Sequence, residues 1–171
     1  GSVIHAMSDE QDIRNMGGLR KHLPVTFWTF LIATLAISGI IPFAGFFSKD
    51  EILAHVFEHN KLMWGLGLVT SMMTAFYMFR LLFVTFFGKF RGTHEQEHHL
   101  HESPASMTVP LMILAVLSAV GGFMNIPHAL GGGESLSHFM APLFELSKQA
   151  NPDLFEGHLE HSTEYILMGV S

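Results

Sequence analysis

The 171 residues carry 9 Lys and Arg against 15 Asp and Glu, a formal charge of −6 with the 12 His neutral; 49% are apolar and only 14% charged. Soluble domains carry about 25% charged residues, so an ordinary soluble globular domain is disfavoured, and collagenous, disordered and disulfide-stapled chains are excluded. The acidic balance argues against nucleic acid as a partner, and the lack of Cys removes the thiolates that an iron–sulfur cluster or a thiolate zinc site needs.

In chain order, Gly1-Ser2 stands where an initiator Met is absent, and an apolar segment begins near Tyr165, so the sequence reads as an internal fragment. The string Ser8-Asp9-Glu10-Gln11-Asp12, followed by Met16-Gly17-Gly18-Leu19-Arg20-Lys21, predicts a turn after a helix and then a connecting loop. Residues 23–48 hold no charge, 62–87 hold one (Arg80), and 103–133 hold none, the most apolar part being 107–126. About 20 apolar residues cross the hydrocarbon layer as a helix. The fold class expected is therefore all-α, a polytopic transmembrane helix bundle. Its approximate spans are 25–59, 62–87 and 105–126, with the start of another near 163–171.

The first span is too long for one straight helix, since 30 or more residues reach roughly 45 Å. Gly39-Ile40-Ile41-Pro42-Phe43-Ala44-Gly45 lies inside it. Pro42 lacks an amide hydrogen, and the flanking glycines relax the backbone. Two readings stay open: a proline kink, or two half-helices near 25–40 and 46–59 with a discontinuity near 39–45. Discontinuous helices at membrane depth often mark ion or substrate sites.

Lys49 follows that stretch. With a straight helix it snorkels at the far interface. With a break it falls near mid-depth at the start of the second half-helix, where an ammonium is costly and the neutral amine is favoured, so that it can load and release a proton. Asp50 and Glu51 are candidate counter-charges, and their expected place in a first helical turn suits a helix N-terminus. Arg80 either snorkels or faces the bundle interior to meet an acid or a carbonyl, with Tyr77 three residues before it. His5 and His55, at the edges of apolar segments, are weaker proton-relay candidates; an interfacial polar contact is the plainer reading. The run His94 to Glu102 is read as a solvated His-rich loop, with a metal site as the lesser alternative. The stretch 127–164, with an amphipathic candidate at 137–148, carries no catalytic signal. Arg14, Arg20, Lys21, Lys89 and Arg91 on one side, against Lys61 and Lys148 on the other, place the first and third loops in the cytoplasm or its equivalent.

These residues resemble the antiporter-like L subunit, or chain 5, of the proton-pumping NADH:quinone oxidoreductase, respiratory complex I. Gly1 to Met7 looks like the end of one family helix, and Glu10-Gln11-Asp12 with Met16-Gly17-Gly18-Leu19 looks like the loop after it. Residues 42–53 resemble the discontinuous helix with its central lysine, here Lys49. Residues 71–88, with His101-Glu102-Ser103-Pro104, resemble the next helix and loop. The match covers most of residues 1–125. Family members often carry two His where this chain has Ser8-Asp9, and a Lys where Asn15 stands.

The resemblance implies a proton-translocating, multi-pass subunit of a bacterial inner membrane, enzymatic only as part of an oxidoreductase. Lys49 would relay a proton, with Asp50, Glu51, Arg80 and more weakly His5 around it. No cofactor or metal is expected in this chain; NADH, FMN, iron–sulfur clusters and quinone would belong to partner subunits. The partners implied are other membrane subunits of the complex, especially the neighbouring antiporter-like subunit, and the lipid bilayer. Competing readings are the large subunit of a multisubunit Na+/H+ antiporter, a non-transporting membrane scaffold and a metal-ion transporter.

Overall fold

A computed structural model describes residues 1–125 and 139–143. Among the described residues all regular structure is helical. The order is α1 (Ser2–Ala6), α2 (Pro24–Ile37), α3 (Ala44–His59), α4 (Lys61–Phe86), α5 (His94–His99) and α6 (Ala105–Val120), with single 3-10 turns at Ile13–Asn15, Leu19–Lys21 and Gly121–Asn125. The expected segment near 163–171, the stretch 127–164 with its amphipathic candidate at 137–148 (apart from residues 139–143), and Lys148 lie outside the described residues.

Several helix ends have a local cause. Pro24 opens α2 at its first position, where a missing amide costs nothing. Gly39, at φ 78°, closes it in the left-handed conformation. The Ile40 amide donates to the Leu35 carbonyl and the Gly39 amide to the Ala36 carbonyl, which is the Schellman arrangement. Residues 38–43 are non-helical, with Pro42 after a cis peptide. Asn60 alone separates α3 from α4; its side chain accepts from the Leu62 and Met63 amides and caps α4.

The helix bounds differ from those the spacing suggested: α2 stops at Ile37 rather than residue 40, and α3 starts at Ala44 rather than residue 46. A proline disfavours the helical conformation in the residue before it. Phe43, just after Pro42, is extended, and Ala44 is the first residue to take up the helix. Asp50 and Glu51 therefore stand in the second turn, and the first turn of α3 holds no acid. The 105–126 segment also differs, being α-helical to Val120 and then a 3-10 turn.

The buried core is small and sits at one end: Ala6, Met7, Met16, Leu19, Leu23, Phe27, Leu82 and Phe86. It joins α1 and the loop after it to the start of α2 and the end of α4. α2 packs on α6, α3 on α4, and α2 also on α4. Two helices, at Lys61–Phe86 and Ala105–Phe123, are long and apolar enough to cross a membrane, while Pro24–Ile37 is apolar but shorter. Large apolar side chains on their outer faces are exposed, among them Leu62, Met73, Phe76, Ile113 and Leu117.

Candidate functional site around Lys49

Lys49 is the sixth residue of α3 and is half-buried. Its Nζ donates to the Ser71 Oγ of α4 at 3.2 Å. Its stem lies against Gly39, where an added Cβ would stand 3.3 Å from Lys49 Cδ. The side chain thus runs from the turn after α2 to the middle of α4, where its ammonium is bonded. Ser71 is the eleventh of the 26 residues of α4, about 4 Å from the helix midpoint at 1.5 Å per residue.

Two close approaches build this seat. A Cβ at Gly45 would run into the Ala36 carbonyl, so glycine is what lets the first turn of α3 lie against the last turn of α2. A Cβ at Gly122 would meet the Phe47 ring at 2.7 Å and Ala44 Cα at 2.9 Å, so the turn after α6 closes on the start of α3. The last turns of α2 add hydroxyls. Thr34 is fully buried, and its Oγ1 and the Ser38 Oγ have no hydrogen-bond partner among the described residues.

The other predicted residues are dispersed. Asp50 is buried at 4% exposure, beside Lys49 in sequence, and Glu51 is exposed. Arg80 is exposed and makes no hydrogen bond or ion pair with another described residue. It stands nine residues beyond Ser71, which is half a turn round α4 and roughly 13 Å further along. The geometry therefore separates Arg80 from the Lys49 seat. His5 is exposed, its ring meeting His101 edge-on at 6.1 Å. α1 packs beside Leu82 and Phe86, and Leu82 lies roughly 16 Å along α4 from Ser71. His55 lies 3.8 Å from Glu58.

Away from Lys49, residues 7–22 and 87–103 are tied together. The Gly18 amide donates to the Phe87 carbonyl at 3.1 Å, made possible by positive φ at Gly17 and Gly18. Arg91 donates to the carbonyls of Ile13, Arg14 and Val84, and Gln96 to that of Met7. Arg20 stacks on the Phe27 ring at 4.9 Å. Asp12 takes a two-pronged grip from Arg14, which holds its carboxyl below the usual range and raises the affinity of the guanidinium for its proton. The Asp12 amide and then the Asn15 side chain lower Glu10 in the same way, so the Asn that departs from the family pattern has a local acceptor. In the His-rich run, His94 and His98 stack at 5.2 Å. No group of three or more metal-ligating side chains occurs among the described residues.

Sequence reasoning misses two residues. Ser71 is one polar residue among many in an apolar span, and nothing local marks it as the partner of Lys49. Glu102 is visible only as part of a motif. Its carboxylate accepts from the Val25 amide at 2.8 Å, the Thr26 amide at 3.3 Å and the Thr26 hydroxyl at 2.6 Å.

The family described as NADH:quinone oxidoreductase/Mrp antiporter, TM, matches residues 1–75. NAD(P)H-quinone oxidoreductase chain 5 of Picosynechococcus is 45% identical, covering 99% of this chain and 28% of that protein. NADH-quinone oxidoreductase subunit L of Mycobacterium tuberculosis is 46% identical over 88% of this chain and 23% of its own length. The subunit L of Rhodobacter capsulatus is 44% identical over 83% and 22%. The chain spans about a quarter of the length of these relatives.

Proposed function

Because the chain belongs to the antiporter-like membrane proteins called subunit L or chain 5 of NADH-quinone oxidoreductases, we propose that it forms the part of such a subunit in which Lys49 relays a proton across the membrane. α2 and α3 are then the two halves of one discontinuous helix in a polytopic bundle, and α4 and α6 are further spans. The contact between Lys49 and Ser71 carries this reading. If α4 crosses the roughly 30 Å hydrocarbon layer, its midpoint marks the layer's centre, and the ammonium bonded to Ser71 lies close to that depth. A charge there is expensive and reads as functional. Thr34 and Ser38, with unused hydroxyls in the last turns of α2, could exchange hydrogen bonds with water near the break.

Electrons pass from NADH to quinone in other subunits, where NADH, FMN, iron–sulfur clusters and quinone are bound. This chain holds none of these groups and no metal. Its partners are the other membrane subunits, foremost the neighbouring antiporter-like one, and lipid. It lies in a bacterial inner membrane as a multi-pass protein. Asp50 and Glu51 serve as counter-charges on the helix that bears Lys49. Arg80 and His5 act outside the Lys49 seat, as anchors at the outer face of α4 and at the α1 end.

The test is Lys49→Met in the assembled complex. Proton translocation by the complex should fall or be lost, since a positioned proton-transfer group contributes about 10²–10⁴-fold to the rate of its step. Undiminished translocation at normal assembly would overturn the proposal. The family description also names Mrp antiporters, which favours a sodium/proton antiporter as the second reading. Sodium-dependent transport without NADH or quinone would distinguish it.

A further inference from the structure

We propose that Glu102 is a positioning residue for the proton step at Lys49: its carboxylate anchors the first turn of α2 and thereby sets where the last turn of that helix meets Lys49. The inference rests on the Lys49 reading above. A helix leaves its first amides without partners, and a side chain at the N-cap usually satisfies them. Here Leu23 occupies the N-cap and has no polar atom in its side chain. Pro24 has no amide, and the Phe27 amide reaches the Leu23 carbonyl. The Val25 and Thr26 amides remain, and Glu102 Oε2 accepts both. Its Oε1 accepts from the Thr26 hydroxyl and from the Ser103 amide at 3.2 Å. One carboxylate from a loop 76 residues away thus takes four donors, three of them on α2. A negative group also suits the positive end of the helix dipole.

The far end of the same helix touches the site. Gly39 borders the Lys49 stem, and the Ala36 carbonyl bears on Gly45 of α3. α2 has 14 residues, a rod of roughly 21 Å. An axial or tilting shift at Thr26 reappears at Ala36 and Gly39, because a hydrogen-bonded helix does not compress. Glu102 therefore acts on Lys49 through α2 and touches no transported proton.

The experiment uses the full-length parent subunit in the assembled complex in its membrane. Glu102→Ala, Glu102→Gln, Thr26→Val and Lys49→Met are compared at equal assembled amount. The readout is protons translocated per NADH oxidised, which a mere loss of assembled complex does not change. Gln keeps an oxygen for the two α2 amides and an NH2 for the Thr26 hydroxyl and gives up only the Ser103 amide, which is not on α2, so it should hold the ratio near wild type. Ala, lacking every acceptor, should lower it about twofold or more, and Thr26→Val should lower it partially. An unchanged ratio in Glu102→Ala, with Lys49→Met inactive, overturns this inference and leaves the Lys49 reading standing. Equal losses in Ala and Gln overturn it also, because charge rather than anchoring would then matter. If Glu102→Ala does not assemble, a wild-type ratio in Thr26→Val overturns it. If Lys49→Met still translocates protons, both readings fall together.

Discussion

Gly45 shows how much rests on the absence of one methyl group. Its position is helical and ordinary, yet a Cβ there would overlap the Ala36 carbonyl, and a backbone oxygen in a closed helical turn has little room to retreat. Gly45→Ala must push α3 off α2 or break the bonds that end α2. Overpacking of this kind typically costs about 1–3 kcal/mol. The expected result is a lower thermal midpoint of the assembled complex and a lower translocation ratio, since Lys49 sits one turn further along α3. An unchanged midpoint and ratio would mean that the two helices part easily. The role of Gly39 is legible in the sequence, because a glycine just past an apolar helix is a stop signal with a mechanism. Gly45 is legible there only as flexibility; the physical demand on it is space, and no local pattern reports what lies opposite.

At the scale of elements, the contact between α3 and α4 combines apolar packing, such as the Phe57 ring on Trp64, with the polar pair of Lys49 and Ser71. Ser71→Ala removes the Ser71 acceptor from the Lys49 Nζ and leaves the rest of α4 intact. Losing a hydrogen bond to a charged group costs about 1.5–3 kcal/mol. If the whole of that loss falls on the proton step, the translocation rate should drop about tenfold or more, with Ser71→Thr restoring it in part. A wild-type rate in Ser71→Ala would show that the bond does not set the behaviour of the lysine. The element pattern itself is readable: charge-free stretches bounded by loops mark the helices, and Pro42 marks the interruption. The register of α3 is not. Asp50 and Glu51 look like first-turn acids, but the helix begins at Ala44, so the pair is displaced into the second turn. The anchoring of α2 by Glu102 is also hidden, because a contact between residues 76 apart follows from how the loops fold back and leaves no trace in spacing.

For the whole molecule, the outer faces decide its surroundings. Phe76, Tyr77, Met72 and Met73 of α4 and Ile113, Leu114, Val116 and Leu117 of α6 are exposed together. Apolar faces of this extent are covered by lipid or by neighbouring helices. In a detergent phase-separation assay the 171-residue chain should partition into the detergent-rich phase; recovery in the aqueous phase would contradict membrane placement. The packed core lies instead around the α1 end, where residues 7–22 and 87–103 close over Phe27, Leu82 and Phe86. On α3 the buried residues are Phe46, Phe47, Asp50 and Leu53, and the Thr34 and Ser38 hydroxyls at the end of α2 have no hydrogen-bond partner among the described residues. Composition foretells the greasy exterior. It does not foretell that the buried cluster gathers at the α1 end, since that depends on which helices touch.

The link between α3 and α4 is the single residue Asn60, whose side chain is already committed to the Leu62 and Met63 amides. So short a link holds the end of α3 at the start of α4: an axial shift of α3 moves that end of the 26-residue helix with it, while the paired rings of Phe83 and Phe87 lie at the opposite end.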